Sequence, residues 1–139
     1  MTYKFIEHTA DVKIHAENTS LEEAFTDTAL ALKEVISGNI VILEQEEKKI
    51  EIKGKDIQSL LYNFLEEFLF RLDAENFLFS KIAKIEIDQK EFKLKATLKG
   101  DKADNYHFTN DVKAVTYNEM LIEFNEKKKI WTCEVVLDV

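Results

Sequence analysis

Residues 57–72, IQSLLYNFLEEFLFRL, contain the clearest structural pattern in this chain of 139 residues. Apolar side chains recur there at intervals of three and four residues, as in an amphipathic helix. They are Ile57, Leu60, Leu61, Phe64, Leu65, Phe68, Leu69 and Leu72. Asp56 stands directly before this run, where its carboxylate can accept hydrogen bonds from the free amides of a helix start. The pattern predicts a helix that packs its apolar stripe against a sheet.

A second helix is predicted from Leu21 to about Ile36, upstream of the first. Ser20 and Glu23 have the spacing of a capping box, which satisfies free amides at a helix start. Apolar residues follow at helical spacing, and Gly38 can adopt the positive φ at which many helices end. This pattern therefore predicts a helix of about four turns.

Short runs of alternating apolar and polar residues, typical of strands, make up much of the remaining chain. They cover residues 3–7, 12–16, 41–43, 49–53, 82–88, 92–98, 120–124 and 130–137. Residues 88–90 and 125–129 are interpreted as hairpin turns, 44–48 as a charged turn and 99–105 as a loop. The arrangement predicts an α+β fold in which two helices pack on one face of a mostly antiparallel sheet. The length suits one domain spanning residues 1–139.

The charge balance bears on the kind of partner. With 27 acidic and 19 basic residues the net charge is −8, which argues against strong direct binding of nucleic acid and favours a basic protein surface as partner. The basic run Lys127-Lys128-Lys129 is interpreted as a solvated turn that could make a minor RNA contact. No apolar run is long enough to span a membrane, so a cytoplasmic location is expected. Cys133 lies in an alternating strand pattern and is interpreted as a buried free thiol.

The two ends of the chain carry the candidate functional residues. Glu7-His8-Thr9-Ala10-Asp11-Val12 joins the first two strand patterns, and the sequence ends on Asp138-Val139. If the ends meet, Asp11, Asp138 and the α-carboxylate of Val139 gather hard oxygen ligands for a divalent cation. Alternatively, Thr9 and Asp11 bond the amides of a turn, and Asp138 is a solvated strand end. The residues alone leave both interpretations open.

His8 is the remaining candidate in this joint. A histidine can serve as a transition-metal ligand or as a general base, but a softer metal site would require further His or Cys ligands nearby. His8 is therefore interpreted as a residue that stabilises the joint or lies at the edge of the site. The sequence contains no nucleophile elbow, P-loop or dinucleotide-binding glycine motif, and no catalytic residue is predicted.

Four segments, in order along the whole chain, resemble the archease family. They are YKFIEHTADV at 3–12, SLEEAF at 20–25, VKAVTY at 112–117 and VVLDV at 135–139. The resemblance implies an archease-like domain with a metal site at Asp11, Asp138 and Val139. The metal implied is Ca²⁺ or another hard divalent cation such as Mg²⁺ or Mn²⁺. It also makes Lys113 and Tyr117, together with His8, candidates for a functional surface.

One position departs from the pattern of the archease family. Family members commonly follow the tyrosine with His, whereas this chain has Asn118. An amide side chain does not take up a proton as imidazole does. The resemblance therefore does not carry a proton-transfer role over to Asn118.

The functional expectation that the resemblance implies is an accessory protein, not an enzyme. It would activate the RNA ligase of tRNA splicing by promoting the guanylylation and turnover of that ligase. The alternative is a chaperone-like modulator of RNA-modifying or RNA-processing proteins. It is motivated by the acidic surface and by Phe70, Phe77 and Phe79, which lie off the main stripe of the 57–72 helix and are otherwise explained by core packing. A metal-dependent hydrolase built on His8 and Asp11 is a third hypothesis.

Overall fold

The computed structural model describes residues 2–6 and 11–139. Within these residues the chain forms seven β-strands, two α-helices and one short 3₁₀ turn. The strands are β1 (Tyr3–Ile6), β2 (Asp11–Asn18), β3 (Glu46–Lys53), β4 (Phe77–Asp88), β5 (Lys93–Lys102), β6 (Ala114–Asn125) and β7 (Ile130–Asp138). The helices are α1 (Leu21–Ser37) and α2 (Ile57–Glu75).

The strands are divided between two antiparallel sheets. A four-stranded sheet has the order β1-β2-β7-β6, and a three-stranded sheet has the order β3-β5-β4. Each helix contacts strands of both sheets, and one core cluster contains buried residues from both helices and both sheets. The predicted antiparallel α+β class is confirmed, and the structure adds that the helices bridge two separate sheets.

Both helices begin where the sequence predicts. The amide of Glu23 donates to the Ser20 hydroxyl at 3.1 Å, and the amide of Ser59 donates to the Asp56 carboxylate at 2.7 Å. Gly38 ends α1 with φ of 68°, as expected for a residue without a Cβ. Neither helix of the described residues combines the length and the apolar character that a bilayer crossing requires.

The predicted strand at residues 41–43 is wrong. Val41 is 82% exposed and Leu43 is 54% exposed, whereas Ile42 between them is buried. Side chains bind the backbone of this coil segment: the Ser80 hydroxyl donates to the carbonyl of Ile42 at 2.8 Å, and the amide of Leu43 donates to the Tyr106 hydroxyl at 2.9 Å. The alternating burial therefore arises because Ile42 is anchored in a coil segment, and not because the segment pairs with a neighbouring strand.

Two segments predicted as turn and loop are partly strand. β3 already begins at Glu46, and β5 continues to Lys102. The polar run in β5 includes a tightly packed position. A Cβ added to Gly100 would lie 2.2 Å from the carbonyl oxygen of Leu78. Asp101 is buried as well, and its carboxylate accepts a hydrogen bond from the Tyr106 hydroxyl at 2.7 Å. The polar composition of this segment predicted a loop, although Gly100 and Asp101 lie in a strand and have specific partners.

The cysteine and the off-stripe phenylalanines belong mainly to the core. Cys133 is fully buried, and burial raises the pKa of its thiol to about 12, so the group stays protonated and unreactive. Phe77 and Phe79 are also buried, whereas Phe70 is 55% exposed. The interpretation of Cys133 is confirmed. Two of the three phenylalanines that motivate a chaperone-like function are core residues, which removes most of that motivation.

We expect Phe64→Ala to lower the free energy of unfolding by about 3–5 kcal/mol, the usual cost of truncating a core phenylalanine. Phe64 is fully buried on α2, and its ring stacks on Phe25 of α1 with centroids 5.9 Å apart. Phe70→Ala on the exposed side of the same helix is the matched control, with an expected change within about 0.5 kcal/mol. Urea denaturation measures both variants, and equal losses would contradict the assignment of Phe64 to the core.

Candidate functional site

Asp11 and Asp138 lie directly opposite each other on neighbouring antiparallel strands. β2 begins at Asp11 and β7 ends at Asp138, and the register pairs these two residues. Residues paired in this way share one face of the sheet, with Cβ atoms about 4.5–5.5 Å apart. The structure thus brings the two predicted aspartates together.

The pairing of the aspartates follows from the register of the core. Ile14 of β2 is paired with Val135 of β7, and Leu137 is two residues further along β7. All three side chains are fully buried, and α1 contacts both strands. A slip of one residue would move all three side chains to the opposite face of the sheet. Hydrophobic burial therefore holds the two carboxylates opposite each other.

The end of β7 is held on its other side by β6. Asp138 is paired with Ala114, and the amide of Lys113 donates to the carbonyl oxygen of Asp138 at 2.7 Å. Asp138 consequently lies between two hydrogen-bonded neighbours. Val139 follows it directly and packs its side chain against the core while remaining partly exposed.

Lys113 and Tyr117 both lie next to this end of the sheet, and both are exposed. Tyr117 follows Thr116, where the pairing of β6 with β7 becomes irregular. Its ring is 51% exposed and stacks on Tyr62 of α2, with centroids 4.3 Å apart and planes at 7°. Lys113 is thus tied to Asp138 through the backbone, and Tyr117 is oriented by an aromatic partner. His8 lies outside the described residues.

A charged network continues from the aspartates along the same face. His15 of β2 lies opposite Glu134 of β7, and its Nδ1 is 2.6 Å from Glu134 Oε2. The other ring nitrogen lies 2.8 Å from Glu17 Oε1. Lys13 Nζ lies 3.6 Å from Glu134 Oε1 and 3.3 Å from Glu119 Oε1. This network was not predicted from the sequence, because its members come from three strands and only the register places them together.

The network favours the protonated form of His15. Burial lowers the pKa of His15, but its hydrogen bonds to Glu134 and Glu17 and their negative charge outweigh burial, and the pKa is raised above its ordinary value. The hydrogen bond to His15 in turn lowers the pKa of Glu17. Lys13, together with the protonated form of His15, therefore offsets carboxylates on the outer face of the sheet.

The donors near the strand ends suit a hard cation. Among residues 2–6 and 11–139, no three His, Cys, Asp or Glu side chains are grouped so that they could hold a metal ion. Asp11 and Asp138 supply two carboxylates, whereas Ca²⁺ takes about six to eight oxygen ligands. Carboxylate oxygens fit Ca²⁺, Mg²⁺ or Mn²⁺ better than a thiophilic metal. A cation here requires further oxygens beyond those of the two carboxylates.

Comparison with known proteins places the whole chain in one family. The model of the archease protein family matches residues 3–139. The chain belongs to the archease family. The archease of Pyrococcus abyssi is 40% identical to it over 140 residues, which cover 99% of this chain and 98% of that protein. The archease of Danio rerio is 31% identical and aligns with 99% of this chain and 85% of its own length.

A solved archease-like structure agrees with the fold. The solution structure of protein 1598 of Methanobacterium thermoautotrophicum matches with a TM-score of 0.82 at 37% sequence identity. The match covers 99% of this chain and 98% of that one. The resemblance to archeases inferred from four short segments is therefore confirmed for sequence and fold.

We expect the stabilising effect of His15 to depend on pH. Because folding raises the pKa of His15, its contribution is fully present below the unfolded value of about 6.5 and is lost as the pH rises through the folded value. His15→Gln should therefore lower the melting temperature more at about pH 5.5 than at about pH 8.5. His107→Gln, at an exposed histidine, is the control and should change the melting temperature little at either pH. If the loss of melting temperature in His15→Gln grew as the pH rose, the expected direction would be contradicted.

Proposed function

We propose that the chain activates the RNA ligase of tRNA splicing by promoting guanylylation and turnover of the ligase, with a divalent cation held at Asp11 and Asp138. The observation that carries the proposal is the cross-strand pair of these aspartates. Membership of the archease family supports it. In this proposal the chain is an accessory protein that does not itself join RNA.

The cation would relieve a local conflict of charge. Like charges directly opposite each other on neighbouring strands destabilise a sheet, and a hard cation between Asp11 and Asp138 offsets that repulsion. We propose the α-carboxylate of Val139 as the third protein donor. Three protein groups leave coordination positions for water or for a group of the partner. When bound, the cation supplies positive charge that lessens the repulsion between these carboxylates and a nucleoside triphosphate.

The location of the pair suits entry into a cleft of the ligase. Asp11 and Asp138 lie at the ends of two central strands, where one end of the sheet can approach a concave surface. Lys113 and Tyr117 flank this end, and we include them with His8 in the proposed contact surface. Lys113 offers a point charge for phosphate. The negative net charge of the chain would steer it towards a positively charged cleft, an effect that weakens as salt rises.

The ligase proposal predicts that Asp11→Asn and Asp138→Asn each abolish stimulation of multiple-turnover ligation by a cognate ligase. The amide keeps the shape of the side chain but removes the charge on which a hard cation depends. Asp111→Asn, at an exposed aspartate near the same end of β6, is the matched control and should stimulate as the unchanged protein does. Unchanged melting temperatures would show that the fold is retained. Full stimulation by both site variants would defeat the proposal.

The proposed donor set is tested separately by calcium titration calorimetry of the chain alone. We expect Asp11→Asn and Asp138→Asn to weaken calcium binding about tenfold or more, because each removes one of the three anionic donors. A peptide extension after Val139 should also weaken binding, since it converts the α-carboxylate into an amide. Equal calcium affinity with and without the extension would remove Val139 from the site.

A further inference from the structure

The solvent-facing side of the three-stranded sheet carries an unusual concentration of lysine. Outward positions alternate with core positions along β3, β5 and β4, and the register aligns them in four cross-strand rows. The rows are Glu47-Lys99-Lys81, Lys49-Thr97-Lys84, Glu51-Lys95-Glu86 and Lys53-Lys93-Asp88. We call these twelve residues the lysine face. It forms a strip about 10 Å wide and about 20 Å long, from the usual strand spacings.

The lysine face has a net charge opposite in sign to that of the whole chain. It contains seven lysines and four carboxylates, so its own charge is +3, within a chain of net charge −8. The other residues together therefore carry −11. At physiological salt the Debye length is about 8 Å. Negative charges that lie farther from the strip than this length are consequently largely screened from an anion bound there.

Three of the seven lysines of the face have a carboxylate within 4.0 Å. Lys84 is 3.4 Å from Glu86, and Lys95 is 3.8 Å from Glu51, but all four side chains are more than 60% exposed. Exposed pairs of this kind contribute little and exchange readily. At the rim, Lys81 pairs with Glu44 at 3.3 Å. The described residues place no carboxylate within 4.0 Å of the remaining lysines of the face, Lys49, Lys53, Lys93 and Lys99.

The face also has a shallow depression near its centre. Thr97 has a short side chain and lies between Lys49 and Lys84 in one cross-strand row. The depression has a volume of about 210 Å³, and Lys95, Glu51 and Glu86 also line it. An anionic group seated over Thr97 would thus lie among three ammonium groups and two carboxylates, with an excess of positive charge.

We propose that the lysine face binds the phosphate backbone of single-stranded RNA without reading its base sequence. Lysine binds phosphate as a point charge, and the elongated strip suits one strand. The face contains no aromatic residue, so the base stacking that strengthens most single-strand binding is absent. Lysine is depleted in protein interfaces and the face lacks an apolar anchor, which disfavours a protein partner. This surface is separate from Asp11 and Asp138 and does not depend on the proposed ligase function.

The test is fluorescence anisotropy of a labelled 20-nucleotide RNA of mixed sequence, titrated with the full chain between about 50 and 200 mM salt. The variant Lys49→Gln, Lys84→Gln, Lys95→Gln neutralises the centre of the face. The matched control is Lys127→Gln, Lys128→Gln, Lys129→Gln, which removes the same charge from the exposed β6–β7 turn. Because both triple variants have the same net charge, a difference between them reports the location of binding.

We expect the lysine-face variant to bind RNA about tenfold more weakly. The slope of log affinity against log salt should fall in magnitude by about 2, because each of the three lost phosphate contacts contributes about 0.7. The control should lose much less affinity and slope than the lysine-face variant, because the β6–β7 turn offers at most a minor RNA contact. RNAs of different sequence should bind alike. Absence of RNA binding by the unchanged chain, equal losses in both triple variants, or stronger binding to a duplex of the same length would each overturn the proposal. The proposal would also be overturned if sedimentation showed that the chain self-associates and that only the lysine-face variant abolishes this self-association.

Discussion

The antiparallel pairing of β2 with β7 is the constraint on which the candidate site depends. Ile14, Val135 and Leu137 are fully buried along it, and burial of each such side chain contributes about 1.5–3 kcal/mol. The aspartates at the end of the ladder lie opposite each other because the apolar residues beside them fix the register. The packing of the core thereby places two carboxylates together at one end of the sheet.

The same fold separates charges of opposite sign. The four-stranded sheet presents the aspartate pair and the network of Lys13, His15 and Glu134 on its outer face. The three-stranded sheet presents the lysine face on its own solvent-facing side. Both helices contact both sheets and supply the apolar layer that covers the inner faces. Net charge alone describes such a molecule poorly, because its average hides two surfaces with different electrostatic properties.

Local patterns were sufficient to predict most elements. The helices α1 and α2, their Ser20 and Asp56 caps and the β4–β5 and β6–β7 hairpins depend on interactions between residues close in sequence. Errors arose where a distant partner decides the outcome. Ile42 is anchored by Ser80 and a neighbouring tyrosine, and the polar end of β5 depends on close contact of Gly100 with β4. Periodicity contains no information about either partner.

The order of the residues is sufficient to predict the helical and strand periods, the archease resemblance and the identity of the candidate aspartates. Packing between distant segments is what divides the strands into two sheets, pairs Asp11 with Asp138 and places His15 between Glu134 and Glu17. It likewise assembles seven lysines from three strands into one face. The physical reason is that alternation specifies which side of a strand is buried, whereas the neighbouring strand and its register follow from packing across the whole core.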